Sequence, residues 1–168
     1  FHIAKRMDPR YYAADIITEV LSGGNSSRLH QRLVKEQKLF SQIDCYHTGS
    51  VEKGLLVIEG KVLPNVDVND AEKAIQAEID IIKNEIVSES ELEKVKNKIE
   101  SMIAFEDLSL LNRANNLAFY ELLGNAENMN EELNNYQNVS LNDILVYANE
   151  ILTENNSNTL FYLAKNSN

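Results

Sequence analysis

Only two prolines, one cysteine and three histidines occur among the 168 residues of this chain, and the scarcity of the last two excludes whole classes of chemistry. With Cys45 alone there is no disulfide framework and no thiolate metal cluster. A small buried apolar group on a strand is the role expected of it. His2, His30 and His47 are never three or four residues apart, so no pair can share a helical face as zinc ligands. No metal site and no other cofactor are therefore expected in this chain. No apolar run approaches the ~18 residues of a membrane-spanning helix, so no membrane span is expected. Basic residues are outnumbered: 16 Lys and Arg stand against 26 Asp and Glu, a formal net charge of −10. Phosphate binding needs clustered Lys and Arg, which excludes nucleic acid as a partner. An acidic surface can attract basic peptides, although solubility is the plainer reading.

What is present reads as one domain over residues 1–168, with 43% hydrophobic and 25% charged residues. The opening Phe1-His2-Ile3-Ala4-Lys5 already reads as a strand and lacks an initiator Met, so an excised segment of a longer, two-domain chain is expected. The strand ends near Arg6. Asp8-Pro9 then supplies a helix start, and Tyr12, Ile16, Ile17, Val20 and Leu21 follow at helical spacing. Gly23-Gly24 stops that helix, and Ser26 or Ser27 caps the next, which buries Leu29 and Leu33. Ile43, Cys45 and His47 alternate as a strand; Leu55–Ile58 form another after the turn around Gly49–Gly54. From Asp67 the period becomes helical, with an apolar stripe of Val68, Ala71, Ile75, Ile79, Ile82 and Ile86. Ser88 with Glu91 is a capping box for a helix burying Leu92, Val95, Ile99 and Met102. Further helices are expected over Leu110–Leu123, stopping at Gly124, over Asn128–Tyr136, and from Ser140-Asp143 through Ile144, Ala148 and Ile151. Thr159–Ala164 should close the chain as a strand. The order predicts an α+β domain: a mixed or antiparallel sheet of about four strands, covered by helices on one face.

Four stretches carry a resemblance. Leu21-Ser22-Gly23-Gly24-Asn25-Ser26-Ser27-Arg28-Leu29 resembles the glycine-rich segment in the second domain of the pitrilysin/insulinase (M16) metallopeptidases. Leu33-Val34-Lys35-Glu36-Gln37-Lys38-Leu39 resembles the segment that follows there, usually Leu-Arg and then Gly-Leu-Ala-Tyr. Glu91–Asn97 and Val139–Ile144 are similar to that family's later helix openings. Together, in order and spacing, they span nearly the whole chain. The resemblance implies the C-terminal, non-zinc domain of such an enzyme, in which two domains close as a chamber around an extended peptide. The zinc, held by His-x-x-Glu-His, belongs to the N-terminal half, which is the implied partner in the same chain or as a separate subunit. The peptide substrate is the other.

The family's second domain also lends an Arg and a Tyr, seven residues apart, to hold substrate and stabilise an oxyanion. The resemblance places Val34 and Ser41 at those positions, and neither side chain can do that work. Arg113 and Tyr120 have the spacing but lie in a helical stretch without a match, so they read as coincidence. The turn formed by Gly23, Gly24, Ser26, Ser27 and Arg28 either contacts substrate or is a helix connection that needs glycine. His47 is either a ligand in a composite site or a hydrogen-bonded strand residue. Two functional readings follow: the substrate-holding, non-catalytic half of a zinc peptidase, or a non-enzymatic binding or scaffold member of the same fold. A helical adaptor with an acidic face would explain the periodicity but not the four stretches. Compartment and peptide preference leave no trace in the residues.

Overall fold

Asp8 and Pro9 start the first helix as their order predicts. Asp8 Oδ1 accepts from the Arg10 amide at 3.0 Å, and Pro9 already has helical dihedrals, so α1 spans Arg10–Ser22. The computed structural model describes residues 1–49 and 51–163. Before α1 stands a strand of two residues, β1 (His2–Ile3), shorter than the run to Arg6 that the sequence predicts. Tyr12, Ile16, Ile17, Val20 and Leu21 on α1 are all buried.

Gly23 and Gly24 end α1 for two different reasons. A Cβ on Gly23 would lie 2.3 Å from the Glu19 carbonyl oxygen, whereas Gly24 has φ +113°, where L side chains are strained. Neither following serine caps the next helix: Ser27 Oγ donates to the Gly24 carbonyl at 2.6 Å, and Ser26 Oγ accepts from Lys94 Nζ at 2.6 Å. That next segment, His30–Glu36, winds as a π-helix with Leu29 and Leu33 buried beneath it. It closes at Lys38, φ +53°, where the Leu39 amide reaches back to the Leu33 carbonyl at 2.9 Å. A lysine here holds the left-handed conformation that glycine adopts without strain.

β2 (Phe40–His47) and β3 (Gly54–Val62) pair antiparallel, and the strand order is β1-β3-β2. The sheet has three strands among the described residues, all antiparallel, instead of about four. The last predicted strand does not form: residues 159–163 have no regular structure, Leu160 and Tyr162 are exposed, and Ala164 lies outside the described residues. A strand is held by the backbone of its neighbour, and none of residues 159–163 pairs with β1, β2 or β3. Helices cover one face of the sheet, as expected. Ile43, Cys45 and Leu56 are buried on that face, and Asp44, Tyr46 and Leu55 are exposed on the other.

Helix α2 (Val68–Asn84) is capped by Asp67, whose Oδ1 accepts from the Asn69 amide at 2.7 Å. Ala71, Ile79 and Ile82 are buried, but Ile86 is exposed. The backbone turns extended at Glu85, which ends the helical period and gives the inward place to Val87. The Ser88–Glu91 capping box opens α3 (Glu89–Glu106), where Leu92, Val95 and Ile99 are buried. Met102 is exposed, and so are Phe105 and Leu108 beyond it, because the last turns of α3 leave the core. α4 (Leu110–Leu122) stops before Gly124 at φ +118°. A 3-10 turn (Ala126–Glu131) and α5 (Glu132–Asn138) replace the helix expected over Asn128–Tyr136. The Ser140–Asp143 capping box opens α6 (Leu141–Ile151), which packs on α1 and α2. No helix of the described residues is long and apolar enough to cross a membrane.

Candidate functional site

The glycine-rich turn is stapled to α3 by side chains on both sides. Arg28 grips Glu91 with two parallel hydrogen bonds, Nε to Oε1 at 2.9 Å and Nη2 to Oε2 at 3.0 Å. The Arg28 guanidinium and the Ser88 hydroxyl and amide hold the Glu91 carboxyl down at about 2, so one carboxylate both caps α3 and clamps the turn. Lys94 donates to Ser26, and Lys98 Nζ meets Glu19 Oε2 at 2.5 Å on the last turn of α1. Arg32, in the π-helix, reaches Glu78 Oε2 on α2 at 3.0 Å. Glu78 is only 3% exposed, and that burial pushes its carboxyl above the ordinary value against the pull of Arg32. The turn's polar side chains are thus committed within the fold. Gly23 and Gly24 shape it, and Ser26, Ser27 and Arg28 fasten it.

Val34 lies in the π-helix, half-buried against the core. Ser41 is the second residue of β2, exposed, at the irregularity between Phe40 and Gln42, and its Oγ donates to the Lys61 carbonyl at 3.1 Å. Neither lines the cavity of about 400 Å³ that opens between Arg10, Tyr12, Asn135, Asp143 and Tyr147. Cys45 is buried on β2, which pushes its thiol far above the ordinary value. Among the described residues no three His, Cys, Asp or Glu side chains converge as a metal site.

His47 is the hydrogen-bonded strand residue of the two readings. Its Nε2 lies 2.8 Å from Asp15 Oδ1, and its Nδ1 accepts from the Gly49 amide at 3.3 Å, which leaves neither ring nitrogen free for a metal. Tyr136 Oη donates to the other Asp15 oxygen at 2.6 Å. Burial alone would raise the Asp15 carboxyl, yet the hydrogen bonds from His47 and Tyr136 hold it below its ordinary value.

A second buried network lies beside this one, and nothing in the residue spacing points to it. Arg6, 7% exposed, donates through Nη2 to Tyr120 Oη at 2.7 Å and pairs with Glu132. Tyr120 also donates to Glu132, Tyr12 does so at 3.4 Å, and Asn135 donates to Tyr12 at 3.0 Å. The guanidinium carbon sits 4.5 Å from the Tyr11 ring centroid and 5.2 Å from that of Tyr12. Burial works against the Arg6 charge, but the hydrogen bond and charge of Glu132 outweigh it and raise the pKa. The network clamps α4 and α5 onto the segment between β1 and α1. Tyr120 is committed there while Arg113 is exposed, so their spacing reflects no shared site.

Residues 1–99, from β1 into α3, match the family described as the peptidase M16 inactive domain. The chain belongs to that family. No curated protein matches this chain significantly. Among solved structures it superposes on the inactive peptidase domain of a protein from Bordetella parapertussis assigned as a zinc protease, with a TM-score of 0.85 and 19% identity, over 93% of this chain and 83% of that one. A protein of the same assignment from Bordetella pertussis gives 0.85 and 19% over 98% and 91%. A protease from Helicobacter pylori gives 0.84 and 20% over 91% of this chain, which spans only 37% of the Helicobacter chain. At these identities the likeness is one of fold.

Proposed function

We propose that this M16 inactive domain is the substrate-holding, non-catalytic half of a zinc metallopeptidase, walling a chamber around an extended peptide. The observation that carries the reading is the family match over residues 1–99. The zinc and the general base would come from an N-terminal half bearing His-x-x-Glu-His, since the three histidines of this chain have no such spacing. The fold supports a companion half in a second way. Phe105, Leu108, Leu110, Leu111 and Leu122 stand exposed at the junction of α3 and α4 and along α4, apolar surface of the kind that packs against another domain. Within the chamber, Val34 and Ser41 would take the places of the substrate-holding Arg and Tyr, and the turn Gly23–Arg28 would shape the wall next to them. The scaffold reading has one observation in its favour: neither Val34 nor Ser41 carries a donor long enough to hold an oxyanion.

Hydrolysis of a fluorogenic peptide tests the proposal. This chain alone should give no turnover, and a His-x-x-Glu-His-bearing companion half should turn over substrate faster when this chain is added. Hydrolysis by the isolated chain would overturn the reading; a companion whose rate ignores this chain would leave only the scaffold role.

A further inference from the structure

The cavity of about 400 Å³ is a cleft between the first turn of α1, the last turn of α5 and the first turns of α6. Its floor is apolar and aromatic: Tyr12, Ala13, Val139 and Tyr147 are all buried. Asn138, Asp143 and Arg10 stand exposed at its rim. β1 meets the floor only by its far end, where the Ala4 amide donates to Tyr147 Oη at 2.8 Å. Residues ahead of Ala4 run back along β3, away from the cleft.

The two ends of the cleft differ. Asp143 and Glu150 lie seven residues apart on α6, about 10 Å along its axis. At the Glu150 end the guanidinium of Arg10 is already matched: Nε and Nη2 donate to Asp8 at 3.0 and 2.8 Å, and Nη1 to Glu150 at 2.5 Å. At the Asp143 end acceptors are left over. Asp143 Oδ2 takes the Ser140 amide and hydroxyl at 2.8 and 2.7 Å, and Oδ1 has no partner among the described residues. Those Ser140 hydrogen bonds hold the Asp143 carboxyl below its ordinary value, so it is charged at neutral pH. Asn135 and Asn138, three residues apart, share one face of α5. Asn135 donates to Tyr12 while its Oδ1 accepts nothing, and the Asn138 side chain forms no hydrogen bond among the described residues.

Charge decides the kind of ligand. Asp8, Asp143 and Glu150 stand against Arg10 and Lys96, and Lys96 is committed to the Gln137 and Val139 carbonyls at 2.7 Å each. Arg6, behind Tyr12, is matched by Glu132. An anion would therefore meet no free cation, whereas a cation meets one free carboxylate oxygen and two amide oxygens. The rings suit a cation as well: the Arg10 guanidinium carbon already sits 5.9 Å from the Tyr147 ring centroid.

We propose that this cleft binds an arginine side chain presented by a partner polypeptide, its stem on Tyr12 and Val139 and its guanidinium shared among Asp143, Asn135 and Asn138. Three acceptors spread over two helices match the planar fork of a guanidinium better than the point charge of a lysine. The site is separate from Val34 and Ser41 and stands independently of the chamber reading.

The test is an acetylated, amidated Gly-Arg-Gly peptide titrated against the chain and followed by amide resonances. The backbone amides of Asn138, Asp143 and Val146 and the side-chain amides of Asn135 and Asn138 should shift together. A citrulline version keeps the shape and loses only the charge, and it should bind at least about fivefold more weakly. Asp143→Asn keeps an oxygen for Ser140 and should erase that difference. Val146 is exposed at the rim, so Val146→Lys should leave the melting temperature unchanged and weaken the Arg peptide at least about fivefold. Equal binding of the citrulline peptide would overturn the proposal, as would a Val146→Lys chain that binds like the parent. Cleft resonances that stay still at about 5 mM Arg peptide, or shifts confined to another surface, would overturn it equally.

Discussion

Replacing Glu132 with Ala would strand a buried guanidinium. Arg6 and Glu132 have side chains only 9% and 17% exposed, and among the described residues Glu132 is the one carboxylate paired with Arg6. The Arg6 Nη1 already lacks a partner, so no second acceptor is in place to take the charge. Removing one member of such a pair costs about 3–5 kcal/mol, most of it from the uncompensated charge left behind. For a chain of this length each kcal/mol moves the melting temperature by about 2–4 °C, so Glu132→Ala should melt roughly 6–20 °C below the parent. Urea denaturation followed by circular dichroism gives the free energy directly. A combined Arg6→Met, Tyr120→Phe, Glu132→Leu variant removes both charges and the hydroxyl that links them, and should recover most of the loss. The reasoning is refuted if Glu132→Ala stays within about 1 kcal/mol of the parent, the range of an exposed pair. It is refuted equally if the triple variant is no more stable than the single one.

Glu91 has its folded carboxyl lowered from the ordinary 4.5 to about 2, so its contribution to stability is present above 4.5 and is lost as pH falls toward about 2. Glu91→Gln should therefore be less stable than the parent at neutral pH, with the gap closing across that window; a gap independent of pH would contradict the Arg28 clamp. Gly24→Val should cost about 1–3 kcal/mol from its positive φ. Nothing lies within 4 Å of a Cβ at that position, so Gly24→Ala should cost nearly as much, and a neutral alanine in a thermal melt would show that the conformation carries no strain. Lys38→Gly should stabilise the chain by about 1 kcal/mol by relieving φ +53°, and a lowered denaturation midpoint would refute that account.

Where the physics is local, the residues announced the structure. Ser88 with Glu91 and Ser140 with Asp143 form capping boxes because the partners lie within one helical turn. Gly24 and Gly124 end helices because their left-handed backbone excludes most side chains. Period alone misplaced Ile86 and Met102: it tells which face a residue would share, not where the helix stops or how far the core extends. The strand expected at Thr159–Ala164 failed over its described residues for a related reason, since a strand forms only against another strand and none of residues 159–163 pairs with one.

The sequence by itself determined the main helices and three of the expected strands, one covered sheet face, the M16 resemblance, and the absence of any histidine pair with zinc-binding spacing. Only the tertiary structure decided which polar groups meet. Arg6, Tyr12, Tyr120 and Glu132 come from opposite ends of the chain, and their convergence depends on how α4 and α5 fold back over the start of α1. His47 finds Asp15 across 32 residues, and Arg28 finds Glu91 across 63. Spacing cannot encode such meetings, because burying a charge is favourable only once its partner has arrived, and the packing of helices on the sheet decides which partner that is.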